Sequence, residues 1–313
     1  MPPHRVILDT DPGIDDTLAI LLALNSPELE VRGLSITYGN TVVEHAYRNA
    51  VEILRRAGRR LPIAIGARRP LKRALAVALE THGASGLGDA AVPAAGSVLD
   101  FAKPLDRLLA EQDQPVTLVT LGPLTGLALT LRREPELVRA KVARHVALVG
   151  NLRAQGNTTP YSEFNAWCDP EALQEVLAAE LPTEMIGLDV TRPLVIGAAE
   201  VEQLGHAGDP LASWLHDALG FYVRFHRQYE GLEGCVVNDV LAVAALLEPD
   251  VLTYQPLRIA VGLAEGDERG RTVVDPDGAR VRVATEVRVG PVRRLLFERV
   301  LPWLQSPAEL PAS

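Results

Sequence analysis

Short apolar runs alternate along the chain with stretches in which apolar positions recur at helical spacing. Residues 6–8 have the pattern of a buried strand, and residues 18–24 form an apolar helical run that closes before Pro27. The same order continues through most of the chain, which is typical of strands and helices that alternate in βαβ units. We therefore predict an α/β fold with a mostly parallel central sheet and helices on both faces. The further predicted strands are residues 31–38, 63–65, 116–121, 145–149 and 184–188, and the further helices are residues 41–57, 124–131, 170–179, 221–229 and 240–247.

The C-terminal part of the chain has a different pattern. Residues 257–289 alternate apolar and polar side chains around a turn at 275–278, which predicts a small antiparallel C-terminal extension of the sheet. A closing helix is expected over residues 291–304, followed by a frayed tail at 306–313. No linker divides the sequence, so we expect a single α/β domain over residues 1–313.

One segment departs from the regular alternation. Residues 74–97 are rich in alanine and glycine, and we predict a long loop with a short helix there. Long loops in compact α/β proteins often cover an active site.

Composition narrows the classes of function. The 313 residues are 47% hydrophobic and 23% charged, as in an ordinary globular protein. Acidic residues number 40 against 31 lysines and arginines, and this net charge of −9 argues against nucleic-acid binding. Two cysteines, Cys168 and Cys235, cannot form a disulfide scaffold or a four-cysteine zinc site, which fits a cytoplasmic protein. No apolar run approaches the roughly 20 residues of a membrane span.

The densest chemical feature directly follows the first predicted strand. Four carboxylates, those of Asp9, Asp11, Asp15 and Asp16, lie within eight residues. The helix dipole favours acids in a first helical turn, and capping alone is one interpretation of this cluster. Four neighbouring carboxylates repel one another unless protons or a cation intervene, and hard oxygen ligands suit Ca²⁺ or Mg²⁺. An EF-hand loop fits poorly, because Gly13 and Ile20 stand where that loop needs ligands.

Polar residues also follow the other predicted strands. Parallel sheets bind ligands outside the carboxyl ends of their strands, so these side chains are expected to converge with the acid cluster on one rim. Asp239 precedes an apolar helix, where it can cap the helix, bind a metal ion or do both. The strand-end residues are Asn40, 122–125, Asn151, Asn157, Asp189, Thr191, Arg192 and Asn238.

At this point the sequence resembles the inosine–uridine-preferring nucleoside hydrolase family. Residues 9–16 match that family's signature Asp-Thr-Asp-Pro-Gly-x-Asp-Asp completely. Further matches run in the family's order through roughly the first 250 residues. They are Tyr-Gly-Asn at 38–40, His-Gly-Ala-Ser-Gly-Leu-Gly at 82–88, Leu-Gly-Pro-Leu-Thr at 121–125, Gly-Asn at 156–157, Glu-Phe-Asn at 163–165 and Asp-Pro-Glu-Ala at 169–172.

The resemblance implies a Rossmann-like nucleoside hydrolase fold and Ca²⁺-dependent hydrolysis of the N-glycosidic bond of purine or pyrimidine ribonucleosides, or of both. It implies that Asp11 is the general base and, with Asp15, a catalytic residue. It also implies a small-molecule nucleoside substrate and a dimer or tetramer. The implied Ca²⁺ ligands are Asp11, Asp16, Asp239 and the backbone carbonyl of Leu121, and the implied ribose contacts are Asp15 and Asn165 at the 2′-hydroxyl, Asn40 near the 3′-hydroxyl, and Asn157 and Glu163 at the 5′-hydroxyl.

One position departs from the family pattern. Asn238 stands where the family often has a histidine that protonates the leaving base, and an asparagine cannot act as a general acid near neutral pH. His82, His226 and Tyr229 are the candidate substitutes in the base pocket. The departure keeps open a Ca²⁺-dependent nucleoside- or ribose-binding protein with little or no turnover. An aspartate-nucleophile phosphatase is a third hypothesis, but it needs a lysine where the strand ends here offer asparagines.

Overall fold

The computed structural model describes residues 3–93 and 104–304, which contain a nine-stranded sheet and a two-stranded sheet. The strands are β1 (His4–Thr10), β2 (Leu29–Ile36), β3 (Ile63–Ile65), β4 (Val116–Thr120), β5 (Val142–Leu148), β6 (Thr183–Ile186), β7 (Val195–Gly197), β8 (Gly234–Val236), β9 (Leu252–Val261), β10 (Thr272–Val274) and β11 (Ala279–Val287). The helices are α1 (Ile14–Leu24), α2 (Val43–Arg56), α3 (Leu79–His82), α4 (Leu105–Ala110), α5 (Thr125–Arg133), α6 (Pro135–Lys141), α7 (Phe164–Cys168), α8 (Pro170–Ala178), α9 (Leu188–Thr191), α10 (Ala198–Gly205), α11 (Pro210–Glu230), α12 (Val240–Leu247) and α13 (Val289–Arg299).

The large sheet confirms the predicted architecture. Its strand order is β10-β9-β11-β6-β5-β4-β1-β2-β3, and every pair from β11 to β3 is parallel. The antiparallel pairs β11–β9 and β9–β10 form the predicted C-terminal extension. Strand β11 lies between β6 and β9, and β10 and β3 are the two edge strands of this sheet.

Helices cover both faces of the sheet, and β1 shows why. Val6 and Leu8 pack into one apolar cluster with Leu18 of α1, whereas Ile7 packs into a second cluster with Leu173 of α8. Successive residues of a strand point to opposite faces, so a wholly apolar strand requires cover on both sides. This arrangement leaves the carboxyl ends of the strands as the polar rim.

Some elements differ from the sequence prediction. Helix α11 has 21 residues, of which only the last part, 221–229, was predicted. Helix α13 ends at Arg299 instead of residue 304, because Pro302 disfavours helical backbone at the preceding residue. The predicted short helix in residues 74–97 is α3, although residues 94–97 and the predicted tail at 306–313 lie outside the described residues. Within the described ranges, no helix combines the length and the apolar character needed to cross a membrane.

Candidate active site

The acid cluster lies in the turn between β1 and α1, at the carboxyl end of the sheet. All four of its aspartates are buried. Asp16 organises the turn, because its Oδ2 accepts a hydrogen bond from the backbone nitrogen of Gly13 (3.0 Å) and its Oδ1 accepts one from the Thr10 hydroxyl. Asp9 is also buried, and this burial raises the pKa of its carboxyl to about 7.

Asn40, which follows β2, joins two of these carboxylates. Its backbone nitrogen donates to Asp11 Oδ2 (2.6 Å), and its Nδ2 donates to Asp16 Oδ2 (2.7 Å). Two glycines leave the space that the Asp11 carboxylate fills: a Cβ at Gly39 would lie 2.0 Å from Asp11 Oδ2, and one at Gly122 would lie 2.5 Å from Oδ1. Residues after β1, β2 and β4 thus build one compact polar site.

Asp239 completes the acidic group from the start of α12. Carboxylate oxygens of Asp15, Asp16 and Asp239 all lie within 4.8 Å of one another, a spacing that could hold a metal ion. Asp11 Oδ1 is buried without a hydrogen-bond partner, which marks a further unused ligand atom. The carbonyl of Leu121 accepts a hydrogen bond from Asn165 Nδ2 (2.6 Å) and retains a second lone pair. These oxygen donors fit a divalent cation.

Burial and mutual repulsion disfavour the charged state of these carboxylates. Burial, followed by the Asp16 carboxylate, raises the pKa of Asp15 to about 7. The pKa of Asp11 is raised well above its ordinary value by burial and then by Asp16, and that of Asp239 by burial and then by Asp15. A bound cation would stabilise the charged state of these carboxylates.

A cavity of about 520 Å³ opens above this group. It brings together most of the residues predicted for the ribose and the base. Tyr229 is not among them, because its ring packs against Phe225 at a centroid distance of 4.9 Å and the residue is 56% exposed. Asp11 and Asp16 are buried and do not line the cavity surface. The predicted residues that line it are Asp15, Asn40, His82, Leu121, Asn157, Glu163, Asn165, His226, Asn238 and Asp239.

Glu163 and Asn157 lie on the segment that leads into α7. The Glu163 carboxylate caps that helix by accepting from the backbone nitrogens of Asn165 (2.8 Å) and Ala166 (3.0 Å), and it also accepts from that of Gly150 (2.8 Å). Burial raises the pKa of Glu163 to about 7 against the effect of these donors. Asn157 Oδ1 accepts from the nitrogen of Phe164 (2.9 Å). Both side chains are therefore held in place by the backbone.

Two histidines contact the aromatic ring of Tyr222, His82 at a centroid distance of 5.3 Å and His226 at 4.4 Å. His82 Nδ1 accepts a hydrogen bond from the backbone nitrogen of Ile14 (3.2 Å), so its ring proton lies on Nε2. His226 Nδ1 lies 2.9 Å from the carbonyl of Tyr222, so Nδ1 carries the proton and Nε2 is an acceptor. Burial, and then the charge of His226, lowers the pKa of His82 to about 3, which keeps His82 neutral. The pKa of His226 is also lowered by burial.

Among the cavity residues without a predicted role are three from α11, and Arg192, predicted only as one of the strand-end residues, also lines the cavity. Tyr222, Phe225 and Glu230 line the cavity from α11, and Arg192 lines it from the end of α9. The spacing of Tyr222, His226 and Glu230, four residues apart, was the available signal for a shared helix surface. Arg192 was noted only as a polar residue after a strand.

A family model described as inosine-uridine preferring nucleoside hydrolase matches residues 6–294. The chain belongs to the inosine–uridine preferring nucleoside hydrolase family. This assignment confirms the resemblance carried by the signature at residues 9–16, and it disfavours the phosphatase hypothesis.

Relatives and solved structures agree with the family assignment. The chain is 37% identical over 278 residues to the pyrimidine-specific ribonucleoside hydrolase RihA of Salmonella agona, covering 86% of this chain and 88% of that one. A plant nucleoside hydrolase, PpNRh1, superposes with a TM-score of 0.86 at 32% identity, covering 95% of this chain and 99% of its own. A purine-preferring ribonucleoside hydrolase from Gardnerella vaginalis gives 0.87 at 30% identity, covering 96% and 98%. This member of the family is accordingly an enzyme that hydrolyses ribonucleosides.

Proposed function

We propose that this nucleoside hydrolase depends on Ca²⁺ and that Asp11, Asp16, Asp239 and the carbonyl of Leu121 hold the ion. Two observations carry the proposal: Asp16 and Asp239 belong, with Asp15, to a buried group whose carboxylate oxygens lie within 4.8 Å of one another, and Asp11 Oδ1 is buried without a hydrogen-bond partner. Oxygen donors without nitrogen or sulfur favour a hard cation such as Ca²⁺. When bound, a divalent cation lowers the pKa of a water molecule and orients the hydroxyls of a sugar.

The residues of the chain then divide the work on the riboside. Asp11 takes the proton from the attacking water, and the acidic floor stabilises the positive charge that develops on the ribose as the C–N bond breaks. Asp15 acts with Asp11 in catalysis. The sugar contacts are those of Asp15 and Asn165 with the 2′-hydroxyl, Asn40 with the 3′-hydroxyl, and Asn157 and Glu163 with the 5′-hydroxyl.

Asn238 cannot act as a general acid for the leaving base. The base therefore needs a hydrogen-bond donor from another residue. We infer that His82 Nε2–H supplies this hydrogen bond, since the backbone nitrogen of Ile14 fixes the tautomer. Asn238 has a different role, because its side chain hydrogen-bonds the Asp15 carboxylate and so opposes the rise in the pKa of Asp15. His226, with Nε2 as acceptor, completes the base pocket.

Both classes of base are candidate substrates. The relative that is 37% identical is named pyrimidine-specific, and the structure at 30% identity is named purine-preferring. The higher identity leads us to expect uridine and cytidine to be cleaved faster than inosine, adenosine and guanosine.

The deciding experiment measures ribose release from these five nucleosides and from a nitrophenyl riboside, with Ca²⁺ and with a chelator. We expect the chelator to abolish cleavage, added Ca²⁺ to restore it, and Asp11→Ala to lower kcat by roughly 10²–10⁴-fold. Asp113→Ala is the control, because this exposed aspartate precedes β4 at the opposite end of the sheet. Full activity in chelator or in Asp11→Ala would contradict the proposal, and Ca²⁺-dependent binding without any cleavage would favour the binding-protein alternative.

Two further expectations concern the setting of the enzyme. Both cysteines are buried free thiols, which is compatible with a cytoplasmic location. We expect a dimer or a tetramer in solution, which light scattering of the purified protein measures directly.

A further inference from the structure

Arg192 connects two segments of the chain that each contribute a residue to the cavity, Asn157 and Glu230. Its Nη2 donates to the carbonyls of Gln155 (3.1 Å) and Gly156 (3.3 Å). Its Nη1 lies 3.6 Å from Glu230 Oε2. One guanidinium therefore contacts a turn and the end of a helix at the same time.

The turn at residues 155–157 carries the group proposed for the 5′-hydroxyl. It is compact, since a Cβ at Gly156 would lie 2.2 Å from the carbonyl of Thr159. Asn157 is the last residue of this turn, and its Oδ1 accepts a hydrogen bond from the backbone nitrogen of Phe164 (2.9 Å). A shift of this turn would move Asn157 relative to the ribose.

Glu230 is the last residue of α11, one helical turn after His226 and two after Tyr222. All three line the cavity, and His226 belongs to the proposed base pocket. Both members of the Arg192–Glu230 pair are about one-third exposed, so the pair contributes little to stability. The planar guanidinium of an arginine can nevertheless bind carbonyls and a carboxylate at the same time, which a lysine ammonium does less well.

We propose that Arg192 is a positioning residue that sets the distance between the 5′-hydroxyl end and the base end of the bound riboside. This inference rests on the proposed function, because it uses the assignment of Asn157 to the 5′-hydroxyl. Arg192 acts through the turn and through Glu230 and does not contact the reacting atoms.

The first test compares the nucleoside that the enzyme cleaves fastest with its 5′-deoxy form. In Arg192→Met, we expect the ratio of the two kcat/KM values to fall roughly tenfold or more towards unity, since a displacement of about 1 Å can cost 10²-fold. Arg192→Lys should recover only part of the ratio. Arg227→Met is the matched control, because Arg227 pairs with Glu233 on the exposed side of α11 and should leave the ratio unchanged.

The outcomes separate this inference from the proposed function. If Asn157→Ala collapses the ratio and Arg192→Met does not, the role of Arg192 is wrong and the 5′-assignment stands. If neither variant changes the ratio, the 5′-assignment itself fails.

A second measurement tests the connection to α11. Glu230→Gln removes the ion pair but keeps the carbonyl contacts of Arg192, and we expect it to lower kcat/KM several-fold. The kcat/KM of the double variant Arg192→Met/Glu230→Gln should be no lower than that of Arg192→Met alone, because both substitutions break the same connection between the turn and α11. If the losses of kcat/KM in the two single variants multiply in the double variant, the proposed link is wrong. Thermal unfolding of each variant identifies any that fails to fold.

Discussion

At the scale of single residues, the Asp11 carboxylate fits in its place because two of its neighbours are glycines and have no side chain. Gly39 and Gly122 approach it from the ends of two adjacent strands. The signature at residues 9–16 identified the carboxylates from the sequence alone. The two glycines could not be predicted as its neighbours, because only the strand order β4-β1-β2 brings them there.

Gly39→Ala should lower kcat, in addition to the loss of stability that any alanine at a positive φ causes. Gly39 has a φ of +155°, and a Cβ there would lie 2.0 Å from Asp11 Oδ2. Displacing the general base by about 1 Å should lower kcat roughly 10²-fold. Gly58→Ala is the control, because Gly58 also has positive φ (+64°) but no atom lies within 4 Å of its Cβ position.

Alanine at either positive φ carries backbone strain of about 1–3 kcal/mol, so thermal unfolding should detect a loss of stability in each variant. Steady-state kinetics should detect a loss in Gly39→Ala only. Equal kinetics for the two variants would show that the Asp11 carboxylate tolerates displacement.

At the scale of elements, the starts of helices hold the rim together. Asp169 caps α8 by accepting from the backbone nitrogen of Ala172 (3.1 Å). The same carboxylate accepts from the Thr125 hydroxyl at the start of α5 (2.6 Å) and from the nitrogen of Leu71 (2.8 Å). The sequence predicted a helix from residue 170, but the contacts of Asp169 with two distant segments have no local signal in the sequence.

Asp169→Ala should therefore cost more stability than an ordinary cap substitution. It leaves three donors without their acceptor, and we expect the free energy of unfolding to fall by about 3 kcal/mol. Asp209→Ala is the matched control, because Asp209 also precedes a proline and caps α11 through local bonds to Leu211 (2.7 Å) and Ala212 (3.1 Å).

The control should lose about 1 kcal/mol, as is usual for a helix cap. Denaturant unfolding of both variants measures the difference. Losses of equal size would mean that the contacts to Thr125 and Leu71 add nothing.

At the scale of the whole molecule, local pattern determined more of the fold than of the base pocket. Alternating apolar runs predicted the parallel sheet with its helices, because the pattern of apolar residues in each segment shows which of its residues are buried. The small β7–β8 sheet and most of α11 were missed. Arg192 and Glu230 reach the cavity only because α9 and α11 meet there, a contact between elements far apart in the chain. The single-domain expectation stays a prediction.

The pH dependence of stability is also a property of the whole molecule, because buried groups pull it in opposite directions. His145 in β5 is buried, with Nε2 3.0 Å from the Thr120 hydroxyl and Nδ1 3.1 Å from the Thr183 hydroxyl. Burial lowers the pKa of His145 to about 3, whereas an unfolded histidine titrates near 6.5. Its contribution is therefore complete above pH 6.5 and is lost as the pH falls towards 3, because the unfolded chain then binds the extra proton.

Asp15 and Glu163 act in the opposite sense, since a carboxyl pKa raised to about 7 stabilises the fold at low pH and loses that effect as the pH rises. The pH profile of the wild type alone thus cannot isolate the histidine, but its difference from His145→Gln can. Between pH 7 and pH 5, the free energy of unfolding of the wild type should fall by about 2 kcal/mol more than that of His145→Gln. His82, also held neutral, contributes equally to both proteins and cancels in the comparison. Urea unfolding at the two pH values measures this difference, and parallel profiles would mean that His145 is protonated in the fold as easily as in the unfolded chain.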